Sequence, residues 1–149
     1  MRIILVEPQI PQNTGNIVRT CAVTGTGLTL VEPLGFRISD RQLKRAGLDY
    51  WLGVDVQIIE NLEEYLLSAP GNFYFFSSKS DKSYAEISYQ KSDYLIFGAE
   101  TTGLPEQLFK RWPERFATIP MLPSSRCLNL STSAAIVLYE ALRQQDFLF

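Results

Sequence analysis

The chain has 149 residues, a net charge of −2 at pH 7 and 46% hydrophobic residues, which suits one domain with a real core rather than a generally basic nucleic-acid binder. It has no histidine and only two cysteines, Cys21 and Cys127, so histidine-based triads, disulfide frameworks and zinc sites are excluded. We therefore expect no bound metal, and a chemistry that depends on other polar side chains and on the backbone.

Apolar runs and turn residues alternate along the whole chain and predict strands and helices in turn. The first run, at residues 2–6, is rich in isoleucine and predicts a buried strand; it meets Glu7 too soon to serve as a signal peptide. In chain order we then expect a helix at 14–24, a strand at 28–32, a basic helix at 40–46, a strand at 54–60, a helix at 61–68, strands at 73–76 and 93–97, a helix at 106–112, a strand at 116–119 and a last helix at 131–145.

Helix starts are indicated by residues that can cap them. Asn13, Ser39 and Asn61 stand where a side-chain oxygen can accept a hydrogen bond from a free backbone N–H of the first turn. Asn129 and Ser131 are alternative caps for the last helix. No apolar run approaches the roughly 18 residues that a membrane span needs. With no signal peptide and no cysteine pattern, we expect a cytoplasmic protein.

The alternation of strands and helices predicts an α/β fold with a mostly parallel sheet and helices on both faces. We see no linker and no internal repeat, so residues 1–149 are expected to form a single domain. Ligands of such sheets gather at the carboxyl ends of the strands. Polar or glycine-bearing loops follow Phe76, Phe97 and Ile119, and these loops are the predicted binding region.

Residues 98–105 form the most informative of these loops. Gly98 and Gly103 allow a close approach of the backbone to a ligand, and Glu100 places an acid between them. The alternative is a tight strand-to-helix turn with a solvated glutamate. The loop after the first strand lacks the G-x-G-x-x-G fingerprint, which argues against a dinucleotide-dependent oxidoreductase.

The first and last helices carry further candidates. Asn16 and Arg19 share one face of the first helix, although Arg19 alone could be an ordinary surface arginine. The last helix is apolar on more than one side around Ile136, which indicates a second subunit as a packing partner. Tyr139 on that helix is either a functional polar group or a core aromatic with a locally satisfied hydroxyl.

Three segments taken together resemble the motifs of the SPOUT RNA 2′-O-ribose methyltransferases, and in particular the minimal YibK-like group that modifies the wobble nucleotide of tRNA. They are residues 13–19 (NTGNIVR), 97–105 (FGAETTGLP) and 119–144 (IPM…LNLSTS…YEALRQ), with further similarity at 32–36 (EPLGF) and 45–50 (RAGLDY). Each motif alone is weak, but their order and spacing cover essentially the whole chain. The resemblance implies a C-terminal deep trefoil knot, a homodimer and tRNA as the substrate.

The resemblance also implies S-adenosylmethionine as the cofactor, held by the three late loops. The family positions map to Phe76, Ser77, Gly98, Gly103, Ile119, Met121, Cys127 and Leu128. Cys127 is a departure, since the family commonly has serine there and a thiol is the weaker hydrogen-bonding group.

The residues that the family implies for catalysis are Arg19, Asn13, Glu100, Asn129 and Tyr139. The cations expected to contact RNA are Arg37, Arg41, Lys44, Arg45 and Arg126, although a normally charged surface helix is the alternative for the first four. An enzyme acting on another RNA such as rRNA, a base methyltransferase of the same class, and a non-catalytic cofactor- or RNA-binding module remain as rival interpretations.

Overall fold

A six-stranded parallel sheet forms the centre of the protein. The computed structural model describes residues 1–37 and 50–149. Its strands are β1 (Arg2–Val6), β2 (Gly27–Val31), β3 (Val56–Ile59), β4 (Phe73–Phe76), β5 (Tyr94–Phe97) and β6 (Phe116–Ala117). Their order in the sheet is β3-β2-β1-β5-β4-β6, and every neighbouring pair is parallel. The predicted α/β class and parallel sheet are confirmed.

Helices cover both faces of the sheet, as predicted. They are α1 (Pro11–Thr24), α2 (Leu62–Ser68), α3 (Glu106–Arg111) and α4 (Leu130–Arg143), with short 3₁₀ turns at Tyr84–Glu86 and Pro113–Arg115. Successive side chains of a strand point to opposite faces. Accordingly, Ile3 packs into a core cluster with residues of α1 and α4, whereas Ile4 packs into a second cluster with residues of α2 and α3.

The first helix begins earlier than predicted. It starts at Pro11, which occupies the first turn, and its N-cap is Ile10 rather than Asn13. Proline fits this position because its fixed φ suits a helix and the N–H that it lacks would have no intrahelical partner there. Asn13 lies inside the helix and is buried, which frees its side chain for contacts with other parts of the chain.

Other boundaries agree more closely. Asn61 caps α2 by accepting a hydrogen bond from the backbone N–H of Glu64 at 3.1 Å, and Asn129 rather than Ser131 caps α4. Gly25 ends α1 with a φ of +64°, a left-handed conformation that glycine adopts without strain. The sixth strand is shorter than expected, at Phe116–Ala117. The predicted cap Ser39 and the helix at 40–46 lie outside the described residues.

The amino ends of β4 and β5 are held together by a buried acid. The Asp93 carboxylate accepts hydrogen bonds from the backbone N–H groups of Asn72 and Gln90, at 3.2 and 2.8 Å. Gly71 packs against Ser92 so closely that an added Cβ would lie 2.0 Å from the Ser92 carbonyl oxygen. The two strand starts therefore have no room for a side chain at position 71.

No helix within residues 1–37 and 50–149 combines the length and the apolar character that crossing a membrane requires.

We predict that Gly71→Ala lowers the free energy of unfolding by about 2 kcal/mol, because the new methyl group forces backbone apart in a packed region. Gly53→Ala is the matched control, since a Cβ there would meet its nearest neighbour at an ordinary 3.7 Å. Urea denaturation followed by circular dichroism measures both values. Equal stability of the two variants would contradict the prediction.

Candidate functional site

A cavity of about 270 Å³ opens where β4, β5 and β6 end. The loops that follow these three strands supply most of its lining, as the sequence predicted from the positions of Phe76, Phe97 and Ile119. All eight residues predicted to bind a cofactor line this cavity, namely Phe76, Ser77, Gly98, Gly103, Ile119, Met121, Cys127 and Leu128. The strand-end prediction therefore located a real concave site.

In the loop that follows β5, Gly98 and Gly103 allow the backbone to fold closely on itself. Gly103 donates its N–H to the carbonyl of Ala99 at 2.9 Å and has a φ of +69°. A Cβ on Gly98 would lie 2.2 Å from the carbonyl carbon of Gly103. The loop thus folds back on itself. The missing side chains, which were predicted to let a ligand approach the backbone, let the backbones of Gly98 and Gly103 contact each other.

The cavity walls combine apolar surface with scattered polar groups. Phe76 stacks on Phe97 with ring centroids 5.0 Å apart at the floor formed by β4 and β5. Ile119 and Leu128 add aliphatic surface, and Lys79 adds a cation. Aromatic and aliphatic surface beside polar groups is a combination found in binding sites for small organic ligands.

Glu100 is bonded to the start of the first helix, so the alternative of a solvated glutamate is wrong. Its carboxylate accepts hydrogen bonds from the backbone N–H groups of Gln9 and Ile10, at 2.8 and 3.2 Å. The side-chain amide of Asn13 donates to the same carboxylate at 3.0 Å. Gln9 also accepts a hydrogen bond from the hydroxyl of Thr101 at 2.5 Å. The loop after β5 is therefore attached to the loop after β1.

Asn13 extends this network to the last helix. Its carbonyl oxygen accepts a hydrogen bond from the side-chain amide of Asn129 at 2.8 Å. Asn129 in turn accepts from the backbone N–H and the hydroxyl of Ser131, at 2.9 and 2.7 Å. Asn13 thus contacts two other predicted residues that are distant in sequence: Glu100, 87 positions away, and Asn129, 116 positions away.

Arg19 and Tyr139 are not part of this network and do not line the cavity. Arg19 is exposed on α1, with the carbon of its guanidinium 5.0 Å from the ring centroid of Tyr50. Tyr139 on α4 is 45% exposed, so the alternative of a core aromatic is wrong. Sequence reasoning assigned no role to Tyr50, although the segment 45–50 that it ends was recognised as family-like.

The two cysteines have different environments. Burial raises the pKa of the Cys21 thiol to about 12, so this cysteine stays protonated within the core. Cys127 is exposed at the cavity, with its sulfur 3.6 Å from the hydroxyl oxygen of Ser78. The thiol of Cys127 is thus in contact with the hydroxyl of Ser78 at the cavity.

The predicted RNA-contacting cations fall in different places. Arg37 and Arg126 are exposed, and Arg126 is next to the cavity residue Cys127. Arg41, Lys44 and Arg45 lie outside the described residues. Within residues 1–37 and 50–149, no three histidine, cysteine, aspartate or glutamate side chains group as a metal site would require.

Comparison with known proteins finds similarity over nearly the whole chain. The sequence profile of the SpoU rRNA methylase family matches residues 1–139. A protein of Methylovorus glucosotrophus named tRNA (cytidine(34)-2'-O)-methyltransferase is 49% identical over 147 residues, 97% of this chain and 96% of that protein. A solved structure from work on the 2-OH methylation of C/U34 on tRNA superposes with a TM-score of 0.91. It is 40% identical, and the match covers 97% of this chain and 95% of that chain.

A more distant structural neighbour is an AdoMet-bound rRNA methyltransferase from Sinorhizobium meliloti. It is 25% identical with a TM-score of 0.85, and the match covers 95% of this chain and 55% of that chain. The neighbour is thus a longer protein that contains a domain of this architecture.

We predict that Asn13→Ala lowers the free energy of unfolding by about 1–2 kcal/mol, because it removes a buried amide that bonds to both Glu100 and Asn129. Gln107→Ala is the control, since it removes an exposed amide from α3. Urea denaturation of both variants tests the difference. If Asn13→Ala were no more destabilising than Gln107→Ala, the network would not hold the loops together.

Proposed function

The chain belongs to the SpoU rRNA methylase family, and from that premise we propose that it transfers a methyl group from S-adenosylmethionine to the ribose 2′-OH of the wobble nucleotide, cytidine or uridine 34, in the tRNA anticodon loop. The observation that carries the proposal is the cavity at the ends of β4, β5 and β6, which is lined by all eight family cofactor positions. The names of the relatives that align over nearly their full length support the choice of substrate.

The residues around the cavity fit this cofactor. Phe76, Ile119 and Leu128 offer apolar surface for an adenine ring, and the loop backbones and Ser77 offer polar groups beside it. When bound, S-adenosylmethionine supplies a methyl group on a sulfonium, which needs alignment with the acceptor oxygen rather than further activation. Cys127 lies within reach of Ser78 and has a smaller hydrogen-bonding capacity than serine, so we expect backbone groups to provide the polar contacts there.

Arg19 is the group that we assign to the ribose. A guanidinium stays protonated at any physiological pH, so Arg19 does not act as a literal base. It would hold the 2′-oxygen or the adjacent phosphate and stabilise the negative charge that develops on the oxygen as its proton passes to solvent water, while the methyl group moves from sulfur to oxygen and leaves S-adenosylhomocysteine. Asn13, Glu100 and Asn129 act by fixing the loops around the cavity.

We propose that the active protein is a homodimer in which Arg19 of one protomer serves the cavity of its partner. Arg19 does not line the cavity of its own chain. The helices that carry Arg19 and Tyr139 contact each other, and Val23 and Tyr139 leave 61% and 45% of their surfaces exposed on them. An isologous interface across α1 and α4 would cover this surface and complete the site.

The proposal extends to the C-terminal trefoil knot of the family. In support, β6 lies at the edge of the sheet, yet α4 packs back against α1 and the interior strand β5. The chain between them, residues 118–129, passes beside the loops that follow β4 and β5 at the cavity.

RNA contact is assigned to Arg37, Arg41, Lys44, Arg45 and Arg126, and to Lys79 at the cavity. The unstacked bases of an anticodon loop are a form of RNA that proteins read well, and only RNA carries the hydroxyl that is methylated. We place the reaction in the cytoplasm, where tRNA is available.

The first test is methyl transfer from labelled S-adenosylmethionine to total tRNA that lacks this modification, followed by nucleoside mapping. We expect label on the 2′-oxygen of nucleotide 34. Transfer to rRNA but not to tRNA would favour the substrate class of the Sinorhizobium meliloti neighbour. Cofactor binding by calorimetry with no transfer to either RNA would favour a non-catalytic module.

Arg19→Ala is predicted to reduce the rate of methyl transfer by about 100- to 1,000-fold, because it removes the group that stabilises charge on the acceptor oxygen. Cofactor affinity should stay within about twofold, since Arg19 is assigned to the acceptor ribose rather than to the cofactor. Lys110→Ala, which removes an exposed cation on α3, is the control. A near-normal transfer rate for a folded, cofactor-binding Arg19→Ala protein would refute the assignment.

A further inference from the structure

The aromatic ring of Tyr50 lies against the guanidinium of Arg19. The carbon of the guanidinium is 5.0 Å from the ring centroid, well inside the range of a cation–π contact. Among residues 1–37 and 50–149, the guanidinium makes no hydrogen bond or ion pair that would fix it otherwise. The orientation of Arg19 within the described part of the chain thus depends on one aromatic ring.

The position of that ring is set by the turn that follows it. The backbone N–H of Gly53 donates to the carbonyl of Tyr50 at 3.1 Å, and that of Val54 donates to the carbonyl of Trp51 at 3.2 Å. Trp51 and Val54 are half-buried and pack against the core cluster that lies under α1 and α4. Tyr50 itself remains 39% exposed, so its backbone is fixed while its ring lies at the surface beside Arg19.

A ring holds a guanidinium differently from an acid. An aromatic face attracts a cation without offering an acceptor oxygen, so the five N–H donors of the guanidinium remain available to other partners. A carboxylate partner would instead occupy two of those donors in a bidentate pair and would cancel the charge. Arg19 is therefore oriented without losing either its charge or its hydrogen-bonding capacity.

We infer that Tyr50 is a positioning residue for Arg19 in methyl transfer: its ring holds the guanidinium in place so that the N–H groups of Arg19 meet the 2′-oxygen or the adjacent phosphate. The inference rests on the proposed function and extends it to a residue outside the cavity. The role belongs to the aromatic face rather than to the phenolic hydroxyl.

The principal alternative is that Tyr50 serves as a stacking platform for an unpaired base of the RNA. Such a platform would contribute to RNA binding in the ground state and would change KM for tRNA with kcat preserved. A positioning role through Arg19 would lower the rate of the chemical step and leave KM nearly unchanged. The two roles therefore have opposite kinetic signatures.

The test uses the full-length protein and three variants. Tyr50→Leu keeps an apolar side chain of helix-compatible shape and removes the ring. Tyr50→Phe keeps the ring and removes the hydroxyl. Leu52→Ala is the matched control in the same turn, since Leu52 is 96% exposed. The single-turnover rate constant for methyl transfer, KM for tRNA, and the dissociation constant of S-adenosylhomocysteine are measured for each.

We expect Tyr50→Leu to lower the single-turnover rate constant about tenfold, as loss of a cation–π contact in a site covered by RNA would do. KM for tRNA and cofactor affinity should change less than about twofold, which would exclude misfolding of the site. Tyr50→Phe should restore the rate to within about twofold of the unmodified protein, and Leu52→Ala should match it.

Three results would overturn the inference. An unchanged rate constant with a raised KM in Tyr50→Leu would identify an RNA-stacking residue. A rate for Tyr50→Phe as low as that for Tyr50→Leu would assign the role to the hydroxyl. A rate constant for Tyr50→Leu equal to that of the unmodified protein would show that the ring is dispensable. Failure of the unmodified protein to methylate any tRNA would instead refute the proposed function. That result is distinct from the three above, because each of them compares a variant with an active unmodified protein.

Discussion

The site depends on the hydrogen bonds that Glu100 accepts. A carboxylate has no donors of its own, and here its oxygens take the backbone N–H groups of Gln9 and Ile10 and the amide of Asn13 at the start of α1. Helix N-termini favour negative charge because their first N–H groups lack intrahelical partners. The acid thereby attaches the loop after β5 to the loop after β1, and Asn13 carries the connection to the cap of α4.

Helix α1 carries predicted site residues on two different faces. Asn13 and Arg19 are six residues apart, which at about 100° per residue places them on different faces of α1. The first is buried in the network beside the cavity, and the second is exposed next to Tyr50. This separation of the cavity from the proposed charge-stabilising group within a single chain is the main structural support for a site shared between two protomers.

Much of the fold could be predicted from local pattern. Short apolar runs bounded by glycine, proline and polar residues predicted five of the six strands close to their observed bounds, and the alternation of strands and helices predicted the parallel sheet. The prediction was weakest where a residue had competing roles. Asn13 has the chemistry of a helix cap, but Pro11 starts the helix before it, and its side chain bonds to the distant residues Glu100 and Asn129 instead. Helix 40–46 and its cations lie outside the described residues and stay predictions.

The sequence by itself determined the class of fold, the late strand ends as the place of the cavity and, through its combined motifs, the family. It could do so because strand and helix periods and motif spacing are local properties of the chain. The tertiary structure alone decided that Glu100 bonds to the start of α1, that Gly98 packs on Gly103, and that Tyr50 lies against Arg19. Those contacts join residues far apart in sequence or depend on how a loop closes, and no local pattern encodes which distant donor or ring will be in reach.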